Sequence, residues 1–326
     1  MKIKQIVLAF IFFNAIFLHT SYSQKYSAVD NIVLKYPKNF SSTEELAKRI
    51  EKDFKSDYDK ARAIYSWMAF NIKYDFNAFL NPSKTQSFSY RTEDEKQRKI
   101  QEFNTQILQK AFKSEKAVCE GFTLLFQHLA SLVGIKSQII KGDSKTRLVD
   151  IGRKNTSSNH AWNTALIDGK WRLIDVTWGQ GYYDNNKGKM VKDFDPVYFD
   201  TEPDYFFAKH FPDSGSFLGK KLNKDEFLNG PLIYNKAIEG DNKIITPESG
   251  IIEVNKGDKI TFVIKNISKS DPFYYLNKKN QPVRVVNSKE KRGGLEFQVT
   301  FDKTIGDYIT FYLDTNSIAS FKVISK

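Results

Sequence analysis

Residues 160–178 read HAWNTALIDGKWRLIDVTW, two β-prone runs on either side of Asp168-Gly169. A two-residue Asp-Gly between such runs signals a type I′ hairpin, because both central positions need positive φ and the turn then matches the twist of its strands. With that turn Leu166 faces Trp171, Trp162 faces Asp175 and His160 faces Thr177. His160 and Asp175 become diagonal neighbours on one face, about 7–8 Å apart at the backbone. An imidazole and a carboxylate can close that gap to a hydrogen bond. A slip of one residue would send them to opposite faces, so the pair depends on the turn. An aspartate on one ring nitrogen fixes the tautomer and favours the imidazolium. Trp162, Trp171 and Trp178 wall the two polar groups and strengthen charge pairing by keeping water away.

Working back along the chain, Ala117-Val118-Cys119-Glu120-Gly121 opens an amphipathic helix through Phe122, Leu125, Phe126, Leu129 and Leu132, with Gly134 as terminator. A helix N-terminus carries partial positive charge and unpaired N–H groups, which favour a thiolate over a thiol and can hold a developing oxyanion. Cys119 is the sole cysteine, which excludes an internal disulfide and a thiolate-cluster metal site. The histidines show no ligand-like spacing, so neither a metal nor a cofactor is expected. Glu120 reads as a first-turn partner of the helix dipole, His128 as solvent-facing and His210 as structural.

Cys119-Glu120-Gly121, Asn159-His160-Ala161-Trp162-Asn163 and Asp168-Gly169-Lys170-Trp171 through Asp175-Val176-Thr177-Trp178-Gly179 resemble the transglutaminase-like superfamily. Ala61 through Trp67 and Ile72 through Asp75 resemble the segment before that core. Tyr198-Phe199 and Lys209-His210-Phe211-Pro212 resemble the branch related to kyphoscoliosis peptidase. The resemblance covers roughly residues 40–225. It implies a papain-like α+β fold with Cys119 as nucleophile, His160 as base and then acid, and Asp175 as orienter. It also implies an upstream side chain as second oxyanion donor, for which Trp67 is the candidate. Trp67, Trp162 and Trp178 are the candidate substrate contacts, although packing explains each of them as well.

The rest of the chain frames that core. Ser42-x-x-Glu45 and Ser56-x-x-Asp59 open helices, and a polar helix spans about 92–112. A strand is expected over 135–140, and residues 142–159 read as a polar surface loop. From about 242, short runs at 251–254, 259–264, 283–286, 295–299, 308–312 and 321–324 have sandwich spacing. The expected organisation is a signal peptide over 1–23, a transglutaminase-like domain over 24–238, and an immunoglobulin-like β-sandwich over 239–326. Lys2 and Lys4 before the apolar run of residues 6–18 give the leader its signal character, so a secreted or periplasmic, cell-envelope location is expected, with no stable membrane span after cleavage.

Composition agrees with a folded chain: 40% hydrophobic and 14% aromatic residues over 326 positions supply bulk for a core. The net charge of +12 is spread among interleaved acids and bases, unlike a nucleic-acid face; contact with acidic envelope polymers is the most it suggests. The partner expected is a protein or peptide substrate. Two functions stay open: an exported cysteine enzyme acting on amide bonds, by hydrolysis rather than cross-linking, or a binding and scaffold protein that keeps the fold with little chemistry.

Overall fold

Three serine or threonine hydroxyls start the helical part. Ser42, Ser56 and Thr92 each accept the backbone N–H three residues on, satisfying a donor that the first helical turn cannot pair internally. The protein is described here by a computed structural model covering residues 28–81, 88–154, 157–184, 187–291 and 293–326; the expected leader lies outside them. Helices α1 (28–33), α2 (Thr43–Asp53), α3 (Asp57–Asn71), α4 (Phe76–Leu80), α5 (Glu93–Ser114) and α6 (Cys119–Leu132) come first. α7 (Val176–Gly179), α8 (Pro203–Lys209), α9 (Lys224–Asn229) and α10 (Asn235–Glu239) follow. α3 is buried all round from Ala61 to Ala69, so it is a core helix rather than a surface one. Even Arg62 is enclosed, held by both carboxylate oxygens of Asp30 at 3.0 and 2.8 Å.

The first strands are β1 (Lys73–Tyr74), β2 (Lys116–Ala117), β3 (Ser137–Ser144), β4 (His160–Ile167), β5 (Lys170–Ile174), β6 (Gly181–Asp184), β7 (Lys189–Lys192) and β8 (His210–Pro212). Four of them make an antiparallel sheet in the order β5-β4-β3-β8. β4 is buried along nearly its whole length because both faces are covered. Ala165, Ile167 and Ile174 join the core of α2, α3 and α6, while Trp162 and Leu173 pack on Phe206 from the opposite side. The hairpin forms in the expected register, Leu166 opposite Trp171, with Asp168 and Gly169 both at positive φ.

Two expectations change. The second hairpin strand stops at Ile174, not Trp178, because the Asp175 side chain turns back to cap α7 and its N–H goes to Tyr198 O. Residues 157–159 are exposed and irregular as a surface loop would be, but 142–154 are not: 142–144 close β3 and the residues after them are tied down. Lys145 is enclosed and donates to Phe227 O and Gly230 O at 2.6 and 2.9 Å, and Gly152 N–H donates to Leu228 O. Asp150 ties the segment internally by accepting the N–H groups of Thr146 and Arg147. Charged residues are buried here because they are paired or feed backbone groups, a pattern that polarity alone misreads.

The tail is all β. One sheet contains 232–233, 316–325, 308–313, 273–276 and 282–284, with 251–254 added parallel to 316–325; the other has 244–246, 259–265, 294–300 and 289–291. Phe262, Phe273, Phe297, Phe311 and Phe321 fill the core, with Phe262 and Phe311 at 4.8 Å between ring centres. Tail packing begins before the expected boundary at 239: Leu232 and Ile233 already pair with Ser320 and Ala319, and Tyr205 belongs to the same core. Among the described residues no helix is long and apolar enough to cross a membrane.

Candidate active site

Cys119 is held at the first turn of α6 by a short parallel pairing. Tyr74 lies opposite Ala117, and Asp75 N–H donates to Ala117 O at 2.8 Å. Val118 is the N-cap and supplies no side-chain hydrogen bond, so no capping side chain occupies the N–H groups beside the sulfur. Gly121 lets α6 lie this close, since a Cβ there would meet Ala117 Cβ at 2.8 Å. α6 is docked on β4 by Asn163, whose amide donates to Thr123 O at 3.1 Å. Cys119 remains partly exposed while the groups behind it are buried.

Those groups are His160, Asp175 and His210. His160 Nε2 lies 2.7 Å from Asp175 Oδ2, and Trp178 N–H donates to Oδ1 at 3.1 Å. With Nε2 on the acid, Nδ1 is the nitrogen left for the sulfur. Burial alone would lower the His160 pKa, but Asp175 and then Cys119, each by charge and hydrogen bonding, outweigh it and raise it to about 10. Burial likewise favours a neutral Asp175, yet His160 and then His210 hold the carboxyl well below the usual range. The outcome is an imidazolium held on a carboxylate, a buried proton source of the kind a leaving amine needs.

Of the other expected residues, Trp178 alone is at the surface of the site. It stacks on His160 with ring centres 5.1 Å apart, and it also lines, with Gly181, Tyr182 and Asn235, a cavity of about 260 Å³ whose walls include neither Cys119 nor His160. Trp67 is 1% exposed, donates to Pro37 O and packs on Phe40 and Phe112, so it is core and neither a substrate contact nor an oxyanion donor. Trp162 is fully buried edge-on against Phe206 and His210 and walls the site from behind instead of meeting substrate. Glu120 lies 3.8 Å from Lys141, and His128 is only partly exposed, 2.9 Å from Thr43 Oγ1, not free in solvent.

Two residues do more here than the sequence alone assigns them: Tyr74, which it does not single out, and His210, which reads as structural. Tyr74, opposite Ala117 in the short pairing that precedes Cys119, is half-buried, and its phenol is pushed up by burial and then by the charges of Cys119 and Asp175. The Tyr-Asp after Ile72 was its only signal. His210 lies 3.1 Å from Asp175 Oδ2 through Nε2, fully buried. A structural role for His210 does not include this contact, 35 residues away in the chain. Among the described residues His160, Asp175 and His210 are the group able to hold a metal, their ligand atoms lying within 4.8 Å of one another. At 2.7 and 3.1 Å the imidazole nitrogens sit on the carboxylate at hydrogen-bond lengths, so protons account for the contacts.

Residues 44–176 match the transglutaminase-like superfamily. The chain is 28% identical over 254 residues to kyphoscoliosis peptidase of Homo sapiens, covering 74% of this chain and 34% of that protein. It is 24% identical over 275 residues to the Lim and transglutaminase domain protein ltd-1 of Caenorhabditis elegans, covering 73% and 34%. The chain thus spans about a third of the length of these relatives. A solved structure titled as a TGase aligns with a TM-score of 0.30 at 19% identity, over 57% of this chain and 42% of that one.

Proposed function

Because residues 44–176 match the transglutaminase-like superfamily, we propose that the protein is a cysteine enzyme acting on amide bonds of proteins or peptides through Cys119, His160 and Asp175. The observation that carries this reading is a buried imidazole held by Asp175 at 2.7 Å, its charged form further favoured by the sole cysteine. The Cys119 thiolate attacks the amide carbonyl carbon. The negative charge that develops on the carbonyl oxygen meets the Cys119 backbone N–H and the Tyr74 hydroxyl. His160 gives its proton to the nitrogen as the C–N bond breaks, leaving a thioester and a free amine or ammonia. Water then adds to the thioester, His160 takes its proton, and the adduct collapses to a carboxylic acid as the C–S bond breaks, restoring the thiolate beside a protonated His160.

Hydrolysis is preferred to cross-linking because water is always present, whereas an amine acceptor needs a site of its own. Trp178 borders the approach and is the substrate contact in this reading. The lysine-flanked apolar leader supports export, so the substrates are proteins of the cell envelope.

The test incubates the purified chain with envelope proteins and a tagged amine and reads products by mass. Cleavage identifies a peptidase, a gain of about one mass unit a deamidase, and incorporation of the tag a transferase. Each should vanish in Cys119→Ala. Unaltered turnover in that variant would refute the role of Cys119.

A further inference from the structure

We propose that His210 is a positioning residue for this reaction, a second imidazole that donates to Asp175 and so shares the carboxylate on which His160 is held. The proposal rests on the catalytic reading above. An ionised carboxylate only accepts hydrogen bonds, so every nitrogen on Asp175 must bring a proton. Oδ2 takes His160 Nε2 at 2.7 Å and His210 Nε2 at 3.1 Å, while Oδ1 takes the Trp178 N–H. His210 Nδ1 lies 3.0 Å from Phe206 O, so both ring nitrogens face acceptors; a neutral ring has one proton to give, and the charged carboxylate is the stronger acceptor, which places that proton on Nε2. Burial, which pushes His210 down to about 4, agrees with a neutral donor.

The ring has little freedom to do anything else. It stacks on Phe206 with centres 3.9 Å apart, and Trp178 and Trp162 close it in at 4.2 and 5.0 Å. Gly142 lets β8 approach, because a Cβ there would sit 2.2 Å from Phe211 O. The titratable groups facing the ring are His160 from β4 and Asp175 from the start of α7, and Lys209 precedes it at the end of α8. Lys209 does not compete for the carboxylate, since its ammonium is committed to Tyr198 Oη and Asn235 Oδ1 at 2.8 and 3.0 Å.

Two donors on Oδ2 divide its basicity. Without His210 the carboxylate would grip the His160 imidazolium harder, and His160 must surrender that proton to the leaving amine. His210→Phe keeps an aromatic ring in the aromatic box and removes the donor; Gln in its place restores an N–H donor. For His210→Phe we expect kcat to fall roughly 10- to 100-fold with KM unchanged and the alkaline limb of the kcat profile to rise by about one pH unit. His210→Gln should recover most of both.

Equal losses in the two variants with an unmoved limb mean packing only and overturn the proposal. So does zinc bound one-to-one in the wild type and lost from His210→Gln, since a metal would then bridge the groups. If the variants fail to fold, the wild-type histidine tautomers decide by ¹⁵N NMR: a proton on Nε2 of His210 near neutral pH supports the proposal, and a bare Nε2 overturns it. Cys119→Ala assayed alongside reports on the catalytic reading by itself, because the tautomer measurement does not depend on turnover.

Discussion

Replacing Asp175 by Asn keeps the shape of the side chain and deletes its charge. In the protein His160 is fully buried, and its pKa is nonetheless raised from 6.5 to about 10. That interval corresponds to about 5 kcal/mol of preference for the charged ring, chiefly from Asp175. With the anion gone, burial acts on the ring without its main opponent, and His160 should titrate below 6.5. The sign for stability follows. A raised imidazole contributes stability that is fully present below pH 6.5 and lost as pH rises through about 10. Asp175→Asn should therefore be less stable than wild type at neutral pH, and the difference should shrink toward pH 10. The assay is a histidine NMR titration with thiol alkylation and kcat measured on the same samples. Turnover should fall by about 10³- to 10⁴-fold. If His160 in Asp175→Asn still keeps its proton above pH 8, the electrostatic account of the site is wrong.

Tyr74→Phe removes one hydroxyl and should lower kcat by about 10²-fold, with KM and melting temperature held; an undiminished kcat would leave the oxyanion to backbone groups. Trp67→Ala should cost about 3–5 kcal/mol in denaturant unfolding while kcat/KM of the folded protein stays at the wild-type level; a selective catalytic loss would return Trp67 to the site. Phe311→Ala should cost about 3–5 kcal/mol, and a spectroscopic probe in the first half should report the same destabilised transition as one in the tail. Two separated transitions would show that the halves unfold independently.

What could be read in advance was what neighbouring residues decide among themselves. Asp168-Gly169 dictated its own turn and with it the register of β4 on β5. Ser42 and Ser56 announced their helices because a capping hydroxyl acts within three residues. Cys119, His160 and Asp175 were legible for the same reason, each in a compact local pattern. The route to the pair was not: Asp175 reaches His160 from a helix cap, where the hairpin had put it on a strand. Trp67, Tyr74 and His210 depend on which distant segments pack together, and α3 hides Trp67 completely while β1 and β8 carry Tyr74 and His210 inward. Residues 142–154 misled because Lys145 finds its acceptors at Phe227 and Gly230, far along the chain, while Asp150 is satisfied within the segment.

That last segment has a practical corollary. It leads toward His160, and Lys145 fastens it to the carbonyls of Phe227 and Gly230, immediately before Leu232 and Ile233 take their places beside 316–325. An expression fragment ending at 238 would strip those two apolar residues and Tyr205 of their covering and slacken the fastening from behind. The imidazole would inherit that looseness. Dissecting this molecule for biochemistry therefore calls for substitutions within the intact chain, since shortening it disturbs the very histidine whose chemistry one wishes to measure.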